Sequence, residues 1–188
     1  ECVWAFNDPR YPIKGDAIRV RRMSLEYFYY LATSKYLVNN VNFPDEYKKR
    51  RGQIEVQTMH GTPLKTFGLE IPGEFESKES KKKFIKRNAR WNYLVVQGEF
   101  TAKKSYDCFG VRVKKLRTGY PRTDMLYNPS EDQIKSLKKS LKIPTDKKVV
   151  LYAPTWRVRN QFDMQLDIER FRETLGDEYV LLIRVHHF

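Results

Sequence analysis

The sequence of 188 residues predicts an α/β fold built on parallel strands. Short apolar segments with the character of strands alternate with helical segments, in the order strand, loop, helix, strand. This order is typical of parallel sheets, because each helix returns the chain to the start of the next strand. Hydrophobic residues make up 40% of the chain and aromatic residues 14%, which excludes a disordered chain and allows one core and part of a second.

The first predicted domain contains most of these segments. A basic and aromatic helix is predicted over residues 17–32, followed by a strand over residues 35–40. Residues 53–58 alternate in character, which predicts a second strand that runs directly into His60. The remaining predicted elements of this domain are a basic helix (78–90), a strand (93–96), a helix ended by Gly110 (99–109), a strand (111–116) and a loop (118–121).

A second domain is predicted to begin near residue 145. The first domain then covers residues 1–145 and is nearly complete, whereas residues 146–188 hold only the beginning of another. The predicted elements around and after the boundary are a helix (131–141), a strand (149–153), a helix (167–175) and a strand (179–185). One such unit cannot cover both faces of a parallel sheet, so we expect further residues or another chain to complete this domain.

The formal net charge of +13 and the pI of about 9.7 imply an anionic partner. Nucleic acid, an anionic membrane surface and a phosphate-rich substrate all fit this charge. The sequence has no nucleic-acid-binding motif, no glycine loop that cradles phosphates and no metal-ligand spacing. We therefore expect no nucleic-acid partner, no metal and no cofactor. No apolar run approaches the roughly 18 residues that a membrane span needs.

His60 is the strongest candidate for catalysis. It follows a predicted strand, in a turn made by Gly61 and Pro63, and ligands of open α/β sheets bind outside the carboxyl ends of strands. A histidine there can take a proton from an attacking hydroxyl near neutral pH. Gly61 allows close approach of the backbone, and Thr62 and Lys65 add a hydroxyl and a cation to the predicted substrate site. The alternative is a histidine that only caps a loop.

Four other residues are weaker candidates. Arg157 follows the strand predicted over residues 149–153, where its guanidinium could bind a pyrophosphate, although a surface arginine fits the same position. His186 and His187 end another predicted strand and are alternatively an exposed pair. Arg122 lies in a tight turn after a strand, and this turn is equally consistent with a packing corner.

Four segments together resemble a known family. They are residues 57–65 (QTMHGTPLK), 118–124 (TGYPRTD), 151–157 (LYAPTWR) and 182–186 (LIRVH). Their order and spacing are similar to those of the CDP-glycerol glycerophosphotransferases of teichoic acid synthesis, over roughly residues 36–188. The resemblance implies two Rossmann-like domains of the GT-B type. It also implies transfer of glycerol phosphate or ribitol phosphate from CDP-glycerol or CDP-ribitol to a teichoic acid or related cell-wall polymer, with release of CMP.

The resemblance also implies roles for individual residues. His60 would be the base that activates the acceptor hydroxyl, His186 would belong to the donor site, and Arg157 would face the donor phosphates. Two positions depart from the family pattern, since Met59 replaces a usual Trp and His187 a usual Pro. The family's donor domain continues beyond the second histidine with an Asp-Tyr-Ser-Ser segment that this chain lacks. We therefore expect the chain to be inactive on its own.

The resemblance finally implies a location. The acceptor in this family is a lipid-linked anionic polymer at the inner face of the cell membrane, so we expect peripheral binding at that cytoplasmic face. The basic segments 78–90 and 19–22 are the candidates for contact with anionic headgroups, unless their charge only attracts the polymer. Two other functions stay open, namely a non-catalytic module that binds anionic polymer or membrane and a nucleotide-sugar glycosyltransferase of the GT-B fold.

Overall fold

A computed structural model describes residues 1–154 and 164–185. The chain forms two compact units, residues 1–124 and 125–188. The first unit contains a parallel four-stranded sheet in the order β3-β4-β5-β6, and a separate parallel pair, β1 and β2. Its elements are β1 (Val3–Phe6), β2 (Ile18–Arg21), α1 (Leu25–Thr33), β3 (Tyr36–Asn39), β4 (Ile54–Gln57), α2 (Lys78–Asn88), β5 (Tyr93–Val95), α3 (Glu99–Phe109) and β6 (Lys114–Leu116).

The strands and helices of the four-stranded sheet confirm the predicted α/β order. Each strand runs parallel to its neighbour, with Leu37 opposite Glu55 and Gln57 opposite Leu94. Helix α3 ends at Gly110, which adopts a left-handed φ of 68° and donates its N–H to the last turn. A glycine tolerates this conformation because it has no Cβ. The β6 strand is shorter than the strand predicted over residues 111–116.

The helix predicted over residues 17–32 is wrong in its first part. Residues Ile18–Arg21 form β2, whose burial alternates with period two, and Val20 lies in the core. Met23 then turns the chain with a left-handed φ of 65°. Ser24 caps α1 by accepting a hydrogen bond from the Tyr27 N–H, so the helix begins only at Leu25.

Strand β4 buries its polar side chains. Gln53, just before β4, and Glu55 and Gln57 within it are only 4%, 1% and 1% exposed. The two glutamine amides are hydrogen-bonded to neighbouring segments, and the Glu55 carboxylate lies 4.0 Å from the Arg90 guanidinium. The Gln53 amide donates to the carbonyls of Leu31 and Ser34 at the end of α1. Buried polar groups are tolerated when hydrogen bonds replace their lost hydration. The polar residues of β4 therefore connect the central strand to the surrounding loops.

Two hydrophobic clusters lie in the first unit. The first contains Trp91, Leu94, Val96, Ala102, Cys108 and Phe109, and the second contains Val20, Tyr27, Leu31, Leu37 and Tyr47. Beside the first cluster, the turn Gly68–Glu70 approaches the end of α3 so closely that a Cβ on Gly68 would lie 2.2 Å from the Cys108 carbonyl oxygen. Glycine at this position therefore permits the contact between the turn and the helix.

The second compact unit begins at residue 125, and the domain boundary near residue 145 stays a prediction. A short helix, α4 (Asp124–Tyr127), crosses from one unit to the other. Helix α5 (Glu131–Ser140) belongs to the second unit, because the Lys138 ammonium donates to the carbonyls of Thr145 and Lys147. The unit also holds β7 (Lys148–Tyr152), α6 (Ile168–Leu175) and β8 (Tyr179–Ile183), with β7 and β8 parallel. Among the described residues, no helix has the length and apolar character of a membrane span.

Candidate active site

The candidate site lies where β3, β4 and β5 end. Residues 40–42 follow β3, residues 58–62 follow β4, and Gln97 lies two residues after the end of β5. Because these strands are parallel, their carboxyl ends meet at one edge of the sheet, where ligands of open α/β sheets bind. His60 lies in the loop after β4, and its side chain is exposed.

A backbone carbonyl fixes the tautomer of His60. The Nδ1 atom lies 2.9 Å from the Asn40 carbonyl oxygen. A carbonyl oxygen can only accept a hydrogen bond, so neutral His60 carries its proton on Nδ1 and donates it to Asn40. Nε2 is then unprotonated and has a lone pair. This is the tautomer that a general base needs, because the base must accept a proton from its substrate.

The residue before His60 has a strained backbone. Met59 adopts a left-handed φ of 54°, a conformation that costs a residue other than glycine about 1–3 kcal/mol. The buried Gln57 holds it in place, since the Gln57 Oε1 accepts from the Met59 N–H at 2.9 Å. The Nε2 of the same amide donates to the Val41 carbonyl at 2.6 Å. Gln57 thus joins the loops after β3 and β4, which together position His60.

Two further side chains hold the loop after His60. The Tyr120 hydroxyl donates to the Gly61 carbonyl at 2.8 Å, and the Thr62 hydroxyl is hydrogen-bonded to the Gln97 side chain. Burial raises the pKa of Tyr120, because the phenolate would be poorly solvated there. The Arg122 guanidinium lies over the Tyr120 ring, 5.4 Å from its centroid. These contacts bring the turn after β6 to the loop that carries His60.

A cavity of about 230 Å³ opens beside His60. One side is formed by His60 and the segment 40–42, and the other by aromatic residues that include Phe67, Phe84 and Trp91. Such a mixture of apolar walls and a few polar groups is typical of small-molecule sites. In residues 1–154 and 164–185, no group of three or more His, Cys, Asp or Glu side chains is arranged to hold a metal ion.

The structure brings some of the predicted site residues together. His60, Gly61 and Thr62 share one loop, and Arg122 approaches that loop through Tyr120. Lys65 is exposed a few residues further along, where its carbonyl accepts from the Lys104 ammonium at 3.2 Å. The other three predicted residues, Arg157, His186 and His187, lie outside the described residues, so their roles stay predictions.

Sequence reasoning did not identify Asn40, Gln57, Gln97 or Tyr120. Gln57 was detectable in principle, because a buried central strand with polar residues at every second position must hydrogen-bond them. Tyr120 lies in one of the segments that carry the family resemblance, but no pattern in the sequence indicates its contact with Gly61. Asn40 acts through its backbone carbonyl, which is the same for every residue type.

Comparisons with known proteins show the family of this chain. The model of the family described as CDP-Glycerol:Poly(glycerophosphate) glycerophosphotransferase matches residues 1–188. The chain is 32% identical over 201 residues to the teichoic acid poly(glycerol phosphate) polymerase of Staphylococcus epidermidis, covering 98% of this chain and 28% of the polymerase. It is 37% identical over 182 residues to the teichoic acid glycerol-phosphate transferase of Staphylococcus aureus, covering 89% of this chain and 47% of the transferase.

A solved structure gives the same result. A variant of the wall teichoic acid polymerase TagF, soaked with CDPG, matches with a TM-score of 0.87 at 31% identity, covering 98% of this chain and 48% of that one. This match, together with the parallel sheets, confirms the predicted fold class. The chain spans less than half the length of each of these relatives.

Proposed function

Because the chain belongs to the CDP-glycerol:poly(glycerophosphate) glycerophosphotransferase family, we propose that it carries the acceptor-activating part of a polyol-phosphate transferase. The donor is CDP-glycerol, and the acceptor is the hydroxyl end of a teichoic acid or related cell-wall polymer. CDPG was soaked into a TagF variant that resembles this chain, which supports the choice of donor. Relatives named for glycerol phosphate favour glycerol over ribitol as the transferred polyol.

In the proposed reaction His60 acts as a general base. Its Nε2 takes the proton of the acceptor hydroxyl, whose oxygen attacks the β-phosphorus of CDP-glycerol. A new P–O bond joins glycerol phosphate to the acceptor, the bond between the β-phosphorus and the bridging oxygen breaks, and CMP leaves. Protonation leaves both ring nitrogens of His60 as donors. The Asn40 carbonyl then stabilises the imidazolium by accepting from Nδ1 at the same 2.9 Å separation.

The observation that carries this proposal is the fixed tautomer of an exposed histidine at the edge of a cavity. Its Nδ1 is bound by Asn40, so the nitrogen that remains available is the one that can act on a substrate. A histidine that only capped the loop would not need to line a cavity, whereas His60 lines the cavity of about 230 Å³.

The test is His60→Ala in the native protein that contains this chain. General bases contribute roughly 10²–10⁴-fold, so we expect the rate of CMP release to fall by that factor. The fold should be retained, because His60 is exposed. Turnover within a few-fold of the wild-type rate, with an unchanged thermal unfolding curve, would show that His60 is not the base.

The donor side of the site remains a proposal based on the family. Arg157 and His186 would neutralise charge on the donor diphosphate, with His187 beside them, and Thr62, Lys65 and Arg122 would contact substrate from the His60 side. A thermal-shift scan of CDP-glycerol, CDP-ribitol and UDP-sugars tests the donor class. We expect stabilisation by CDP-glycerol above all others. Stabilisation by a UDP-sugar alone would favour a glycosyltransferase. If none of these nucleotides stabilises the protein, a non-catalytic module is favoured.

We further propose that the protein works at an anionic membrane surface, on a lipid-linked acceptor. Five lysines of α2 are exposed and support this proposal: Lys78, Lys81, Lys82, Lys83 and Lys86. Arg90 does not belong to this surface, because its guanidinium donates to the carbonyls of Phe43, Pro44 and Tyr47. Each lysine near an anionic leaflet contributes about 1 kcal/mol of attraction, so a few of them are enough for peripheral binding.

Vesicle co-sedimentation tests this location. We expect binding to vesicles that contain anionic lipid, loss of binding at high salt and no binding to neutral vesicles. Replacing Lys78, Lys81 and Lys82 by Gln should weaken binding. The charge-matched control replaces three other exposed lysines by Gln, namely Lys135 and Lys139 of α5 and Lys142 just after it. Equal binding to neutral and anionic vesicles, or none at low salt, would refute the electrostatic proposal.

A further inference from the structure

The loop that carries Asn40 connects two parallel strands without a helix. Strand β3 ends at Asn39 and β4 begins at Ile54, and residues 40–53, all of which the structure describes, form neither helix nor strand. Parallel strands are usually joined by a helix, whose own hydrogen bonds fix its backbone. The Asn40 carbonyl that binds Nδ1 of His60 lies at the start of this irregular loop. Contacts with other elements must therefore hold the loop in place.

The Arg90 side chain binds the middle of this loop. Its Nη1 donates to the carbonyls of Pro44 and Tyr47, each at 3.1 Å, and its Nη2 donates to the Phe43 carbonyl at 3.2 Å. The guanidinium also lies over the Tyr47 ring, 5.2 Å from its centroid. The donors of a guanidinium point in fixed directions, so the three carbonyls are held in one arrangement. Only 12% of the Arg90 side chain is exposed, which limits competition from water.

Helix α2 and strand β4 hold Arg90 in turn. Its Nε donates to the Arg87 carbonyl at 3.2 Å, near the end of α2, and lies 4.0 Å from the buried Glu55 carboxylate of β4. The Arg90 carbonyl accepts from the Lys49 ammonium, which also donates to Asn92 Oδ1 at 2.9 Å. Hydrogen bonds from charged donors are stronger than those between neutral groups. Arg90 therefore anchors the loop to both elements.

This anchor lies close to the contact that fixes the histidine tautomer. Phe43 is three residues after Asn40, and the carbonyl of Val41 between them accepts from the Gln57 amide at 2.6 Å. Gln57 thus holds one point of the segment, and Arg90 holds the turn that follows. Without the guanidinium, this turn loses three hydrogen bonds, and the Asn40 carbonyl before it is no longer held in line with the imidazole.

We propose that Arg90 is a positioning residue for His60, because it holds the turn 43–47 and thereby the Asn40 carbonyl that selects the His60 tautomer. Arg90 does not line the cavity beside His60, so it acts through the loop and not on a substrate. The catalytic consequence rests on the proposed transferase function, in which Nε2 must be unprotonated. The effect on the tautomer does not depend on that function.

Nitrogen NMR of the native protein with isotope-labelled histidine rings tests the tautomer directly. The spectrum is recorded at about pH 8, where histidine side chains are neutral, and the His60 signals are identified by their absence in His60→Gln. We expect wild-type His60 to carry its proton on Nδ1. Arg90→Lys keeps the charge opposite Glu55 and replaces the planar fork by a compact ammonium, so part of this variant should carry the proton on Nε2.

The rate of CMP release gives a second readout. The Nε2–H tautomer cannot accept a proton, and a displacement of about 1 Å costs roughly 10²-fold, so kcat of Arg90→Lys should fall by about 10- to 10²-fold with the KM for CDP-glycerol unchanged. Arg50→Lys is the matched control, since Arg50 lies in the same loop but donates to the carbonyls of Ala32 and Thr33, at 2.7 and 2.8 Å. This control should keep the Nδ1–H tautomer and a kcat within a few-fold of the wild-type value.

Two results would overturn the positioning role. One is a folded Arg90→Lys variant that keeps both the Nδ1–H tautomer and the wild-type kcat. The other is an equal change in Arg50→Lys, which would show a general effect of loosening the loop. A tautomer shift confined to Arg90→Lys, in a protein that transfers no glycerol phosphate, would support the positioning role and refute the proposed function. If thermal unfolding shows that Arg90→Lys does not fold, Arg90→Met combined with Glu55→Gln provides the same test, because it leaves no buried charge without its partner.

Discussion

Gln57 offers the most direct test of how the fold positions the catalytic loop. Its amide joins the Met59 N–H and the Val41 carbonyl, and Gln57→Met removes both hydrogen bonds. A buried group that loses its partner costs about 1–3 kcal/mol. Because both hydrogen bonds here are only partly buried, we expect the free energy of unfolding to fall by about 2–3 kcal/mol in total.

The same substitution should reduce activity by more than its effect on stability implies. Met59 is held at a left-handed φ of 54°, and this strain of about 1–3 kcal/mol can relax once the Gln57 amide is gone. His60 is the next residue and moves with it. A displacement of about 1 Å can cost roughly 10²-fold in rate, so we expect kcat for CMP release to fall by about that factor.

Gln53→Met is the matched control for Gln57→Met. Gln53 directly precedes the same strand and is 4% exposed, but its amide holds the end of α1 instead of the loop that carries His60. It should lose comparable stability in urea unfolding and keep kcat within a few-fold. Equal losses of kcat in both variants, or an unchanged kcat in a destabilised Gln57→Met, would refute the positioning role of Gln57.

Two further predictions concern the fold around the site. Burial raises the pKa of Glu55 above its usual 4.5, so folding takes up a proton and stability falls as pH rises from 4.5 through the folded-state pKa. In Glu55→Gln, the free energy of unfolding in urea should lack this decrease between about pH 4 and 7. The same pH dependence in the variant and the wild type would exclude Glu55 as the source of the decrease. Gly68→Ala places a Cβ 2.2 Å from a backbone oxygen. Gly52→Ala is the control, since Gly52 is also left-handed, with φ 87° against 57° at Gly68, but a Cβ there meets nothing within 4 Å. Thermal unfolding should therefore show Gly68→Ala less stable by about 1–3 kcal/mol, and equal stabilities would contradict the close packing.

The sequence predicted the sheet well because its strands are short apolar runs separated by clear breaks. Gly98 and Gly110 bracket α3 as expected, and the order of elements required parallel pairing. The strand β2 was missed because its two apolar residues, Ile18 and Val20, alternate with arginines. The aromatic segment that follows has a similar composition and does form a helix. Four residues are too few for period two to be distinguished from the helical period.

The chemistry of the site was predictable only in part. His60 was predicted because it follows a strand, at the edge of the sheet where ligands bind, and because four segments in order carried the family resemblance. The residues around His60 were not predicted, because they come from distant parts of the chain. The Asn40 carbonyl lies 20 residues before His60, and Tyr120 lies 59 residues after Gly61. The cavity collects residues from Asn40 to Phe109, and no local pattern marks them as neighbours.

The contacts that hold the catalytic loop mostly end on backbone atoms. Gln57 bonds a backbone N–H and a carbonyl, Tyr120 bonds the Gly61 carbonyl, and His60 bonds the Asn40 carbonyl. A substitution of Asn40 or Gly61 would therefore leave these hydrogen bonds in place, whereas a substitution of Gln57 or Tyr120 would remove them. Residues whose side chains can be replaced without effect can still supply the backbone atoms that position His60, the proposed base.

The same contacts explain why a strand with buried polar residues carries the histidine. Gln53, just before β4, and Gln57, at its end, bind the strand to the segments beside it. Between them, the Glu55 carboxylate lies 4.0 Å from the Arg90 guanidinium. A strand fixed along its whole length is a rigid support, and a site on rigid elements holds its geometry better than one on a free loop. His60 is only three residues beyond the end of this strand, and the strained Met59 lies between them. In the proposed mechanism, Nδ1 of His60 donates to the Asn40 carbonyl and Nε2 takes the proton of the acceptor hydroxyl.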